Sequence, residues 1–308
     1  MNRRTFTQHC FASLGGLAVS GFSGIYSLPY VPTLFAESNT DRFERIMAQA
    51  QRQQWQALPI GERVCAVAME FLGTPYVAGT LEGTAATRYQ ERCTADLTGL
   101  DCVTFFETAL CVARCIGKGI TSFEGLLAEL MFTRYRGGTL KNYTSRLHYT
   151  SEWFQDNERK GVVRNVTRDD KELRGKAARL RLNLDFMSAH APLYPALKAS
   201  PDLASEIRSI EQKVSAEEAF VIPLGGIRAA QAFMRSGDIV GIATSKAGLD
   251  YTHTGLVKLD TSISKQGVVR FLHASQKQKK VVLDDELAKV VAAHPAARGI
   301  TIVRPLEV

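Results

Sequence analysis

The helix that begins at Cys102 constrains this chain more than any other stretch. Phe105, Phe106, Ala109, Leu110, Ala113 and Ile116 recur at the 3.6-residue spacing of an α-helix and fill one face. Asp101 stands where an N-cap belongs, and Gly117 to Gly119 end the pattern. So apolar a face must be buried, so the chain has to supply a layer to cover it. Residues 41–72 predict two helices broken at Leu58-Pro59, followed by the turn Gly73-Thr74-Pro75-Tyr76 and a polar loop over 77–100. Residues 122–213 read as mostly helical and polar. Short β-branched runs bounded by turn residues begin only after Gly237, at 238–244, 253–259, 267–273, 280–283 and 300–304. Helices first and strands last predict an α+β domain rather than repeated βαβ units. At 308 residues and 45% hydrophobic, the chain has enough apolar material for a sizeable core. The predicted organisation is one domain over 37–308 with a long helical insertion at about 120–235.

The first 36 residues are different. Arg3-Arg4 opens a basic region, a Gly- and Ala-rich apolar stretch follows, and no acidic residue precedes Glu37. This predicts an export signal of the twin-arginine type, ending near Ala36, and places the protein in the periplasm or cell wall. Four glycines in the stretch weaken a spanning helix, and no later run is long enough to cross a membrane. The formal charge of +7 suits an anionic polymer. No Lys/Arg run is interleaved with aromatics, so a nucleic-acid partner is not expected. Six cysteines in a chain this long do not make a disulfide framework, and none has zinc-ligand spacing, so no metal or organic cofactor is expected. Cys65 and Cys93 are left open as a pair.

A thiol at the start of a buried helix is placed for chemistry. The helix dipole and free N–H groups favour negative charge there, which predicts a lowered thiol pKa for Cys102 and donors for an oxyanion. Of six histidines, only His253 and His273 fall in strand-like runs. Pairing those runs as a hairpin sets His253 against His273, Gly255 against Phe271 and Val257 against Val269, with Lys258 and Arg270 on the other face. That register supplies a base, His253, and a group to orient it, His273. Walker loops, H-E-x-x-H and G-x-S-x-G do not occur.

Gly73-Thr74-Pro75-Tyr76, Leu100-Asp101-Cys102-Val103-Thr104-Phe105 and His253-Thr254-Gly255 resemble the NlpC-type cell-wall peptidases. The resemblance implies a papain-like fold, with the Cys102 helix packed on a small antiparallel sheet, and a Cys102–His253–His273 triad. Tyr76 would line the cleft. Ser145-Arg146-Leu147-His148-Tyr149, Trp153 and Gly248-Leu249-Asp250 are similar to motifs of an N-acetylmuramoyl-L-alanine amidase-like branch. That resemblance covers roughly 60–305. The separation of Cys102 from His253, about 150 residues, exceeds that of the simple domain. Arg146, His148, Tyr149 and Trp153 are then candidates for binding peptidoglycan, with the Arg146 fork suited to a carboxylate. The alternative for Arg146 and His148 is an ordinary helix or loop edge. The resemblance implies cleavage of an amide bond in peptidoglycan fragments or muropeptides, between N-acetylmuramic acid and L-alanine. A cut inside the stem peptide after γ-D-glutamate and a non-catalytic wall-binding module are the alternatives.

Overall fold

The computed structural model describes residues 37–83, 90–262 and 267–308, so the predicted export signal lies outside the described residues. Ser38–Val308 forms one compact unit. Helix α1 (Asn39–Arg52) starts on a capping box from Ser38, and α2 (Ile60–Met69) follows a 3-10 turn at Trp55–Ala57. Helix α3 (Cys102–Lys118) is the predicted one. Asp101 accepts from the N–H groups of Val103 and Thr104, and Gly119 closes the helix at φ 69°. Such a left-handed residue costs a glycine little. Every residue from Thr104 to Ile116 is buried, so the predicted apolar face widens to the whole circumference. Helices α4 (Phe123–Arg134) and α5 (Thr150–Arg159) continue the layer.

The sheet is larger than expected. Among the described residues it has eight strands: β1 (Val163–Asn165), β2 (Ala178–Leu180), β3 (Ala219–Pro223), β4 (Ile239–Thr244), β5 (Tyr251–Asp260), β6 (Val268–Ser275), β7 (Lys280–Glu286) and β8 (Ala297–Pro305). Their order is β2-β3-β8-β4-β5-β6-β7, with β1 sharing the β8 edge beside β3, and all these pairings are antiparallel. The five runs after Gly237 are strands as predicted. The expectation of a mostly helical insertion without strands is corrected: β1, β2 and β3 all come from it. β1 and β2 have three residues each, too short to show alternation, and β3 is buried through Ala219–Ile222. A strand buried on both faces has no polar alternation to read.

Both faces of the sheet are covered. α3 and its neighbours pack with Ile239, Leu256, Leu272 and Val303 on one face. Val240, Ile242, Val257, Phe271, Ile300 and Ile302 pack on the other with Leu173, Ile227, Leu287 and Val291. The hairpin register is Leu256↔Leu272, Val257↔Phe271, Lys258↔Arg270 and Leu259↔Val269. The predicted register is therefore off by two residues. A slip of two leaves every side chain on its predicted face, because the strand period is two.

The turn at residues 73–76 ties the ends of the site together. Gly73 N–H donates to Val281 O, Val281 N–H to Thr74 O, and Tyr76 N–H to Lys279 O. On its other edge Leu100 N–H donates to Pro75 O, and Val77 N–H to Leu100 O. This strip of extended chain bridges β7 to the residues just before α3 and so fixes where Cys102 stands.

Candidate active site

A cavity of about 290 Å³ is lined by Cys102 and Val103 from the start of α3 and by His253 and Thr254 from β5. Arg146, His148, Tyr149, Met187, Tyr194 and Leu249 line it as well, so the insertion builds one wall. Cys102 is the first residue of α3. The Asp101 cap takes the next two N–H groups and leaves that of Cys102 outside it. Thr254 Oγ1 donates to the Cys102 carbonyl at 2.9 Å, which pins the helix start to β5.

The thiol does not follow the sequence expectation. Burial pushes it up to about 12, and the Asp101 carboxylate adds to that; the Thr254 hydroxyl and N–H pull it partway back. Desolvation and a neighbouring negative charge outweigh the helix terminus. His253 is held well below its ordinary range by burial and then by its two histidine neighbours. Both shifts favour the uncharged forms, thiol and imidazole. His253 and Cys102 share the cavity, but no hydrogen bond joins them.

Behind His253 the polar groups run in series. His253 Nε2 lies 2.7 Å from His273 Nδ1, and His273 Nε2 lies 3.2 Å from Asp284 Oδ2. The rings of His253 and His273 meet edge-on, and His273 stacks on Phe271. Gly255 makes this possible: a Cβ there would stand 2.6 Å from the Phe271 ring and 2.8 Å from His273 Cβ. The glycine of His253-Thr254-Gly255 is thus a space requirement of the second imidazole. His294 stacks on His253 at 5.7 Å between centroids.

The remaining candidates fall into two groups. Arg146, His148 and Tyr149 line the cavity, but each already has partners within the chain. The Arg146 guanidinium pairs with Glu82 at 2.8 Å and Glu91 at 3.0 Å and lies over the Tyr143 ring. His148 Nε2 is 2.8 Å from Tyr143 O, and Tyr149 donates to Glu211 at 2.7 Å. Trp153 lies behind the wall, edge-on to Phe106, with its N–H donated to Glu107 at 2.8 Å. Glu107 also pairs with Arg134 at 2.8 Å. Tyr76 is partly buried in the strip described above and is not on the cavity wall.

Sequence reasoning missed Asp284, Thr254, His294 and the Glu82–Arg146–Glu91 group. The Gly248-Leu249-Asp250 motif turns out to join insertion to strand. Asp250 accepts from Ser151 N–H and Oγ–H, both at 2.7 Å, at the start of α5, while Phe186 N–H donates to Gly248 O. Cys65 and Cys93 are separate free thiols, donating to the carbonyls of Val257 and Leu127. Among the described residues no group of three or more His, Cys, Asp or Glu is arranged to hold a metal ion, and no helix is long and apolar enough to cross a membrane.

The fold and cleft define a mixed α and β protein, with an antiparallel sheet between helical layers and a thiol and an imidazole lining one cavity. The chain belongs to the N-acetylmuramoyl-L-alanine amidase-like family, whose model matches residues 66–300. It is similar to the crystal structure of an N-acetylmuramoyl-L-alanine amidase from Bacteroides uniformis ATCC 8492, with TM-score 0.70 and 28% identity over 80% of this chain and 99% of that one. A Bacteroides fragilis protein provisionally called a xylanase is similar at TM-score 0.67 and 32% identity, covering 78% of this chain and 99% of its own. A Legionella pneumophila protein, LPG0564, shares the fold at TM-score 0.61 and 21% identity, covering 85% and 93%. None of the curated proteins matches the chain.

Proposed function

We propose that this chain is an exported cysteine amidase of the papain-like, NlpC type, cutting the bond between N-acetylmuramic acid and L-alanine in peptidoglycan. The observation that carries the proposal is the placing of Cys102 at a helix start, its N–H outside the cap, in one cavity with an imidazole anchored from behind. As the sulfur attacks the amide carbon, the thiol proton passes to His253 and the Cys102 N–H meets the developing oxyanion. His253 then protonates the alanine nitrogen, the C–N bond breaks, and the lactyl acyl group remains as a thioester. Water, deprotonated by His253, releases the lactyl carboxylate and restores the thiol. Proton transfer during attack suits two resting groups that are both neutral.

Glycosidic cleavage fits the cavity less well. It needs two carboxyl groups free to face one bond. Here Glu107 is engaged by Arg134 and Trp153, Asp250 by Ser151 and Tyr251, and Glu82 by Arg146. The test is digestion of purified muropeptides by the wild type and by Cys102→Ser, read by mass spectrometry. Free stem peptides starting at L-alanine are expected from the wild type alone. A cut after γ-D-glutamate would move the protein to the stem-peptide endopeptidases. Binding without turnover, unchanged in Cys102→Ser, would make it a wall-binding module.

A further inference from the structure

We propose that Asp284 is a positioning residue that sets the tautomers of both histidines, so that His253 keeps its Nδ1 bare for the thiol proton. The proposal rests on the amidase reading above and extends it to a group three positions removed from the sulfur.

A carboxylate can only accept, so the nitrogen facing it must carry the hydrogen. His273 Nε2, 3.2 Å from Asp284 Oδ2, is therefore the protonated one. A neutral imidazole then has a lone pair on its other nitrogen, so His273 Nδ1 accepts. Its partner at 2.7 Å, His253 Nε2, must donate. That leaves Nδ1 as the unprotonated nitrogen of His253, the one not committed to His273. One carboxylate decides the state of two rings through two hydrogen bonds.

The fold goes to some length to aim this carboxylate. Between the pairs Leu272↔Leu283 and Arg270↔Glu286 the β6–β7 register shifts by one, so Asp284 and Asp285 stand together against Phe271. Such a bulge re-aims side chains. Arg270 braces it, donating to Asp284 O at 2.8 Å and Leu283 O at 3.0 Å. The carboxylate itself is surrounded by donors. Asp285 N–H points at Oδ1 at 2.8 Å, and Gln278 Nε2 donates to Oδ2 at 3.0 Å beside His273.

That donor pattern makes Asp284→Asn a sharp probe. The asparagine NH₂ is excluded from the Oδ1 place, where a backbone N–H is fixed. At the Oδ2 place Gln278 can flip to present its oxygen, and His273 can yield by moving its hydrogen to Nδ1. His253 must then accept at Nε2 and carry its hydrogen on Nδ1, with no lone pair left to take the thiol proton. Asp284→Ala removes the dictation without reversing it.

The experiment measures kcat and KM for wild type, Asp284→Asn and Asp284→Ala, with the histidine tautomers read by imidazole ¹⁵N NMR of the folded proteins. Asp284→Asn is expected to lose roughly 10²- to 10⁴-fold in kcat with KM little changed, the scale of a wrong-tautomer base. Asp284→Ala is expected to lose less, and the His253 proton should move from Nε2 to Nδ1 only in Asp284→Asn. A larger loss in Asp284→Ala than in Asp284→Asn, or an unchanged His253 tautomer in Asp284→Asn, overturns the proposal in favour of a packing role. The NMR reading needs no turnover. Failure of the wild type to cleave muropeptides would overturn the amidase reading while the tautomer exchange still tests this one.

Discussion

The two sides of the cavity are built from the same kinds of residue and differ in what those residues have left to offer. On the β5–β7 side, His253, His273 and Asp284 bond to one another in a line, and the line ends on His253 at the cavity. On the insertion side, Arg146, His148 and Tyr149 also reach the cavity, but each is already bonded or ion-paired to partners from its own chain. A line of acceptors and donors leaves one end open. A closed group, such as Arg146 between two carboxylates, has its charge already matched. Being on a cavity wall and being available to a substrate are separate properties, and the hydrogen-bond partners decide the second.

The comparison breaks most decisively at the thiol and its base. Cys102→Ser and His253→Ala should each lower kcat by roughly 10⁴-fold or more, while His273→Ala leaves a measurable remnant, since an orienting group only fixes tautomer and angle. Steady-state kinetics on muropeptides, with circular dichroism to confirm folding, checks this. Equal and total loss for both histidines would undo the division between base and orienter.

Next in size is Arg146→Ala. The sequence offered Arg146 as a substrate-binding fork, whose loss would act on KM rather than on stability. The ion pairs predict the reverse. Arg146 and Glu91 have side chains 7% and 3% exposed, and truncating the arginine leaves a buried carboxylate unpaired. A loss of about 3–5 kcal/mol in stability is expected, partly restored by adding Glu91→Gln. Urea denaturation measures both. An unaltered midpoint with raised KM would return Arg146 to the substrate.

A smaller effect is expected at Trp153→Phe, which keeps most of the ring's bulk and removes the N–H donated to Glu107. The cost should be about 1–3 kcal/mol, with little change in KM. A selective rise in KM at unchanged stability would place Trp153 in contact with substrate after all.

The smallest expected effect concerns pH. Burial holds His253 below its ordinary range, so it stays neutral, and able to accept a proton, at more acid pH. The acid limb of kcat/KM should fall below the ordinary imidazole value of about 6.5. The same depression means that the unfolded chain binds that proton more readily. His253 therefore contributes stability above about pH 6.5 that is lost as pH falls. A pH–rate profile with its acid limb at or above 6.5 would show the base to be more solvated than the cavity allows.

Much of this was legible in the residues. Local patterns specified α3, its Asp101 cap and Gly119 end, and the five C-terminal strands, because a 3.6- or 2-residue period shows wherever one face differs from the other. The faces of the β5–β6 hairpin followed too. Its register did not, since patterns of period two cannot distinguish a slip of two. The strands within the insertion were hidden for a related reason. β1 and β2 are too brief to carry a period, and β3 is buried through Ala219–Ile222 and shows no contrast. Asp284 fell just beyond the predicted run 280–283, because a bulge leaves no mark on composition.

By itself, then, the sequence determined which residues could do chemistry: a cysteine at a helix start, two histidines on one face of a hairpin, and an arginine with aromatics elsewhere in the chain. Tertiary structure alone decided which of them are free to act. Glu82 and Glu91 reach Arg146 from 64 and 55 positions away, Cys102 meets Thr254 across 152, and a bulge turns Asp284 onto His273. Hydrogen bonding and desolvation depend on neighbours in space. A chain in which those neighbours lie so far apart in order cannot display them until it is folded.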